Sequence, residues 1–253
     1  MTANDATGRE GFLGGRLRLQ QGGRGHRAGT DALLLAAATP AATSGLILDI
    51  GSDSGVVGLV AALRAPAARV GLVEIDVAAC ARARANIAAN DLAGRVSAHE
   101  ADVASPVARR AAGLQPESAA LVLTNPPFHE PGRVRPAPDP DKARAHVRAI
   151  PLTAWFRACL ALLAPGGVMV MIHRADALGE CLAAAEGRLG ALAVLPVLPH
   201  AGSSATRLLL RGVKGSRAPL SIRSPFVLHA PDGGFAPAAE AIFRDPTALD
   251  LFS

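Results

Sequence analysis

The sequence predicts an α/β protein built on a mostly parallel, Rossmann-like sheet, and three observations predict it. Short apolar runs alternate with alanine-rich helical stretches from residue 45 onward, the rhythm of parallel strands covered on both faces by crossover helices. The last two runs, ALAVLPVLP (191–199) and ATRLLLRGV (205–213), have no helical pattern between them, only His200-Ala201-Gly202-Ser203-Ser204. They are expected to form an antiparallel hairpin, so that one reversed strand lies at the sheet edge. Half of the 253 residues are apolar, enough for a full core.

The elements follow in order. LILDI (46–50) reads as a buried strand and SGVVGLVAALRA as the helix after it. RVGLVEID (69–76) is a second strand, followed by the helix VAACARARANIAAND. VSAHEAD (96–102) and ALVLTN (120–125) are the third and fourth strands. TAWFRACLALLA is a helix closed by Pro165-Gly166-Gly167, before the fifth strand VMVMIH (168–173). Residues 1–10 read as a disordered polar tail, and 11–44 as a short hairpin plus a helix capped by Thr30 or Asp31. The sheet domain spans 45–215, and 216–253 form an extension with an Asp-Gly-Gly turn and a short terminal helix. The proline-rich segment 129–147 is expected to be a mobile loop beside the strand ends.

Ligands on such sheets lie at the carboxyl ends of the strands. That rule gathers Asp49–Gly55, Glu74–Asp76, Asp102 and Asn125 at one rim. The net charge of +5 suits a polyanionic partner or an ordinary basic enzyme. Cys80, Cys159 and Cys181 are too scattered for a zinc site or a disulfide framework and read as buried thiols. The seven histidines show no metal spacing. With no signal region and no long uninterrupted apolar run, a cytoplasmic protein without a membrane segment is expected.

The loop after the first strand reads Asp49-Ile50-Gly51-Ser52-Asp53-Ser54-Gly55. A dinucleotide fingerprint starting at Gly51 needs glycines at 53 and 56, where Asp53 and Val56 stand; the spacing fits G-x-G-x-G with its centre replaced. A strand-to-helix turn that only needs permissive dihedrals is the plainer explanation. Glu74, at the end of the second strand, suits two ribose hydroxyls or plain solvent; Asp76 suits a helix N-cap, and Asp102 an adenine amine or a loop.

Thr124-Asn125-Pro126-Pro127-Phe128 is the most specific motif. Prolines end the strand at the rim. The Asn125 amide and the Pro126 carbonyl would then converge on a planar NH2 group, with Phe128 stacking on the base that bears it. A cis-proline turn with a satisfied asparagine is the structural alternative.

The glycine loop, Glu74, Asp102 and NPPF, in this order, resemble the class I S-adenosylmethionine-dependent methyltransferases, specifically the amino-directed enzymes bearing [N/D/S]-P-P-[Y/F/W]. GGRGHRAGTDALLLA, RLLLRGVKGSRAPL and FVLHAPDGGFAPAAEAIFRD are similar to the bacterial tRNA1(Val) adenine-N6-methyltransferase family. The resemblance implies that Asp49, Gly51, Asp53 and Gly55 shape the cofactor loop, that Glu74 holds ribose and that Asp102 contacts adenine. It implies Asn125 and Pro126 for the target amine, Phe128 for the base, and Arg27 with Thr30–Asp31 over the methionine end of the cofactor. It implies tRNA as partner and no metal, and leaves the oligomeric state open.

The family has glycine where Asp53 stands. Asp tolerates left-handed backbone, but a carboxylate ~5 Å from the methionine carboxylate costs roughly 3 kcal/mol at an effective dielectric of 20. Weaker cofactor binding than in a glycine version is therefore expected. Two other functions stay open: ribosomal RNA guanine-N2 methylation, because Phe128-His129 also matches that group's NPPFH, and a cofactor-impaired RNA-binding module. Arg133, Arg135, Arg144, Arg148, Arg211, Lys214, Arg217 and Arg223 are candidates to follow phosphates, or simply an arginine-rich surface. His129 and His173 read as loop and strand-end histidines near the motif.

Overall fold

The structure is a computed structural model that describes residues 10–20, 29–127, 150–245 and 252. A hairpin of β1 (Glu10–Phe12) and β2 (Leu17–Leu19) precedes α1 (Thr30–Ala37). Then come β3 (Gly45–Ile50), α2 (Val56–Arg64), β4 (Ala68–Glu74) and α3 (Val77–Ala89). β5 (Val96–Glu100), α4 (Pro106–Ala111) and β6 (Ala119–Thr124) follow. The second half holds α5 (Leu152–Leu162), β7 (Leu163–Arg174), α6 (Leu178–Ala185), β8 (Leu189–His200) and β9 (Arg207–Lys214). It closes with β10 (Ser221–Ile222), β11 (Phe226–His229) and α7 (Pro237–Arg244).

Among the described residues, nine strands form one sheet in the order β10-β8-β9-β7-β6-β3-β4-β5, with β11 also on β8. Every pairing from β7 to β5 is parallel, and only β9 runs against its neighbours. The β8–β9 hairpin forms as expected, but the reversed strand sits between β7 and β8 and not on the outside. β10 and β11, which the sequence pattern does not announce, then pair with β8.

Alternation along the strands feeds two cores, since successive side chains leave a sheet on opposite faces. Ile47, Leu121, Leu123 and Val170 join α1, α2 and α3 on one face. Leu48, Val122, Met169 and Met171 join α5 and α6 on the other. The three cysteines are buried and free, and burial pushes the Cys159 and Cys181 thiols up to about 12. Helix α5 ends at Leu162, and Pro165-Gly166-Gly167 fall inside β7, where the register on β6 shifts. Gly166 has φ +74°, so the expected helix stop is instead a bulge.

One helix cap and one turn were legible, and one cap was not. Asp76 caps α3, accepting from the Ala79 N–H at 2.7 Å. The Asp232 side chain braces the Asp-Gly-Gly turn by accepting from Gly234 N–H at 3.0 Å. Neither Thr30 nor Asp31 caps α1: Gly29 holds the N-cap position, without a side-chain bond. Asp31 is drawn away by Arg207, whose Nε donates to it at 2.8 Å.

Candidate active site

The glycine loop is built backwards from the packing of α2. A Cβ on Gly58 would fall 2.2 Å from Leu72 Cδ2 and 3.2 Å from Asp49 Cβ, so glycine lets the first turn of α2 approach β4 without displacing the buried Leu72. That approach carries the Gly58 N–H to the buried Asp49 carboxylate at 2.9 Å. To enter α2 this early, the chain turns through left-handed backbone at Gly51 (φ +74°), Asp53 (φ +46°) and Gly55 (φ +88°). A non-glycine residue in that region is uncommon, and Asp is among the most tolerant. The loop therefore keeps its shape without the central glycine.

The turn is held from outside. Gly51 and Ser52 both donate to the Val73 carbonyl, at 2.9 and 3.1 Å. Asp53 N–H donates to Glu74 Oε2 at 2.8 Å, while Glu74 Oε1 accepts from Ile75 and Asp76 at 2.8 and 2.9 Å. A carboxylate has about four acceptor sites, so Glu74 keeps only one toward the rim. Asn86 on α3 donates to the carbonyls of Ser54 and Gln20, both at 3.0 Å, and accepts from Gln20 N–H at 2.7 Å. It ties the loop to the end of the N-terminal hairpin.

Three acids crowd this corner. Burial pushes the Asp49 carboxyl up to about 7; the Gly58 N–H opposes the shift, and the charges of Glu74 and Asp53 add to it. Arg82 of α3 places Nη2 3.4 Å from Asp53 Oδ1, an ion pair open to solvent on both sides. The Asp53 carboxylate thus has a cation beside it, which reduces the repulsion expected from the sequence alone.

The second corner follows β6. Thr124 Oγ1 donates to the Ile50 carbonyl at 2.9 Å and accepts from the Trp155 indole N–H at 2.9 Å. Trp155 also packs under Gly51, where an added Cβ would lie 3.3 Å from its ring. One buried hydrogen-bond chain therefore locks the end of β6 to the end of β3. Beyond it, Asn125 Oδ1 is buried with no hydrogen-bond partner among the described residues, and no cis peptide bond occurs among them. The alternative of a cis-proline turn with a satisfied asparagine is not what the chain adopts.

Both corners open on one cavity of about 550 Å³. Asp49, Gly51, Ser52, Asp53 and Ser54 line one side, Asn125, Pro126 and Pro127 another, and Thr30, Asp31 and Arg207 a third. Glu74 and Asp102 are outside this lining, at the neighbouring strand ends; Asp102 is exposed, and its carboxylate accepts from Ala104 N–H at 2.9 Å. A smaller cavity of about 330 Å³ lies across the same prolines, between Trp155, His173 and Glu180. Burial lowers the His173 pKa there. Arg27, Phe128, His129 and the arginines at 133, 135, 144 and 148 lie outside the described residues.

Sequence reasoning missed Arg82, Asn86, Trp155 and Arg207. The spacing of Arg82 and Asn86 along RARAN was a faint signal for one helix face; nothing in the sequence pointed to the other two.

A parallel sheet with a hairpin-reversed strand, and a left-handed acid-rich turn beside a proline corner, define the class I methyltransferase fold and its cofactor rim. Residues 26–138 match the family model described as methyltransferase small domain. The chain is 32% identical over 213 residues to a curated tRNA1(Val) (adenine(37)-N6)-methyltransferase of Aeromonas hydrophila, covering 83% of this chain and 85% of that one. A protein of the same name from Porphyromonas gingivalis is 33% identical over 231 residues, covering 87% and 88%. The crystal structure of a predicted O-methyltransferase, protein Atu636 from Agrobacterium tumefaciens, superposes with a TM-score of 0.72 at 29% identity, covering 86% of this chain and 97% of that one. The chain belongs to the class I S-adenosylmethionine-dependent methyltransferases, in the family that contains these tRNA1(Val) enzymes.

S-adenosylmethionine is the cofactor, and the cavity fits it. The cofactor is a sulfonium with an ammonium and one carboxylate, so its positive charges suit a corner holding Asp49, Asp53 and Glu74. The buried Ser52 Oγ, without a partner among the described residues, offers it a further hydrogen bond. Among the described residues no group of His, Cys, Asp and Glu has metal-binding geometry, and no helix is long and apolar enough to cross a membrane.

Proposed function

We propose that the chain methylates the exocyclic N6 amine of an adenine in tRNA, beside the anticodon of tRNA1(Val), as the names of its relatives state for them. The observation that carries this reading is Asn125 Oδ1, a buried acceptor without a partner among the described residues, on a residue that lines the cavity shared with the cofactor loop. Leaving such a group without a partner costs about 1–3 kcal/mol, and an N–H donor from the substrate removes that cost.

In this reading Asp49 faces the cofactor's positive end, Gly51 to Gly55 supply the loop, Glu74 gives its remaining acceptor site to ribose, and Asp102 meets adenine. Arg27 and Asp31 close the methionine end. Bound S-adenosylmethionine supplies a methyl group already activated on sulfur. The protein's part is alignment: Asn125 Oδ1 and the Pro126 carbonyl accept from the two N–H bonds of the amine and favour its pyramidal form. They also stabilise the positive charge that develops on nitrogen, and Phe128 holds the base. No side chain is assigned as a strong base. An unpaired loop nucleotide enters more cheaply than a stacked, paired one.

Labelled S-adenosylmethionine, total tRNA and nucleoside analysis test the reading. Label in N6-methyladenosine is expected. Label in N2-methylguanosine, or none in RNA, overturns it.

A further inference from the structure

The outer part of the sheet carries a row of rings that methyl transfer does not use. Arg174, Arg207 and Val197 stand level across β7, β9 and β8. β8 then continues through Leu198 and Pro199 to His200, with β11 alongside pairing His229 to His200. The His200 and His229 rings are 5.3 Å apart, His229 stacks on Phe235 at 5.1 Å with 19° between planes, and Phe235 meets Phe243 edge-on at 4.6 Å. A row made for interior packing would be covered, yet His200 is exposed and Phe235 is 42% exposed.

The position of the row matters as much as its chemistry. β8 runs in the same direction as β6, so His200 rises from the same rim as Asn125. Three strand spacings separate β6 from β8, about 14 Å at the usual 4.7–4.9 Å per strand. The paired register carries His200 five residues further out than Asn125, about 17 Å along the strand, so roughly 22 Å of extended RNA joins the two. Arg174 and Arg207 occupy the interval, each beside an acid, Asp176 and Asp31 respectively. Flat rings with polar edges, next to guanidinium groups in a chain of net charge +5, match nucleobases joined by phosphates. An aliphatic protein partner or a lipid surface finds no comparable apolar patch in this row.

We propose that the His200–His229–Phe235 row is a stacking platform for unpaired bases of the RNA strand flanking the methylated nucleotide. The proposal rests on the RNA-substrate reading above. His200 is exposed, with its ring tilted 36° from that of His229, so a base laid on the imidazole extends the row.

The test uses the full chain with S-adenosylhomocysteine and a fluorescent, unpaired RNA oligonucleotide carrying the target adenine. Binding is followed by anisotropy across a salt series for wild type, His200→Ala and His200→Phe, with methyl transfer to tRNA measured in parallel. Loss of one stacked base weakens RNA binding by about five- to a hundredfold. That loss is expected for His200→Ala, with recovery in His200→Phe. The slope of log affinity against log salt stays unchanged, because no phosphate contact is removed, and cofactor affinity is the same in all three proteins. Undiminished RNA binding by His200→Ala, or a loss that His200→Phe does not restore, overturns the platform. Continued tRNA methylation by wild type then leaves the substrate reading standing. If wild type labels no RNA, that reading falls and the platform falls with it.

Discussion

The two corners of the cavity are built on opposite plans. The backbone of the glycine loop is tied down: Gly51, Ser52 and Asp53 donate to β4, Gly58 donates to Asp49, and Asn86 grips the Ser54 carbonyl, with the Ser52 hydroxyl left without a partner among the described residues. Among the described residues, the Asn125 corner is braced from behind, through Thr124, Ile50 and Trp155, and its own amide oxygen is buried without a partner. The difference tracks what each corner must do. A loop that shapes a cofactor site has to exist before the ligand arrives, so its backbone groups are spent on the fold. An acceptor that acts on a passing amine has to remain unspent.

The largest expected effect breaks the open corner. Asn125→Ala removes one aimed acceptor, a loss comparable to removing one oxyanion-hole donor, about a hundred- to a thousandfold in kcat. Calorimetric affinity for S-adenosylmethionine is expected to hold, because the loop is independently braced. Equal losses in kcat and in cofactor affinity would mean that the two corners are not separable.

A smaller effect probes the saturated corner through pH. Asp49 has its carboxyl pushed up to about 7, mainly by burial, whereas an unfolded Asp titrates near the ordinary 3.8. A folded-state pKa above the unfolded value favours the folded state at low pH, so this contribution is fully present below about 4 and is lost as pH rises through about 7. A cationic ligand reverses the preference by favouring the carboxylate. Cofactor binding is therefore expected to release a proton from Asp49 below pH 7 and to tighten as pH rises toward 7. Calorimetry in buffers of different ionisation enthalpy reads the proton directly, and Asp49→Asn is expected to abolish it.

The smallest effect concerns the substituted glycine position. Asp53 and Arg82 are both solvent-accessible, and exposed pairs contribute about 0.2–1 kcal/mol. Arg82→Ala is expected to weaken cofactor binding by up to about fivefold at low salt. Asp53→Gly in the Arg82→Ala background is expected to restore it. An unchanged affinity in Arg82→Ala would show that Arg82 does not offset the acid.

Much of this could be read from particular residues. Apolar runs located the strands because burial on both faces leaves little room for polar residues. Gly51 and Gly55 marked the turn, Asp76 announced its own cap, and the prolines after Asn125 announced the corner, since each signal acts within a few residues. The α1 cap was misjudged for the same reason inverted: Asp31 answers to Arg207, 176 positions away.

By itself, the sequence determined the strand rhythm, the two turns and the chemistry available at the rim, because those depend on local dihedrals and on alternation. Only the tertiary structure decided that Trp155 sits beneath Gly51, that Arg82 stands beside Asp53, and that β9 lies inside the sheet with β11 carrying His229 beside His200. Those outcomes depend on which distant segments share one packed volume, a question that local pattern leaves open and close packing settles.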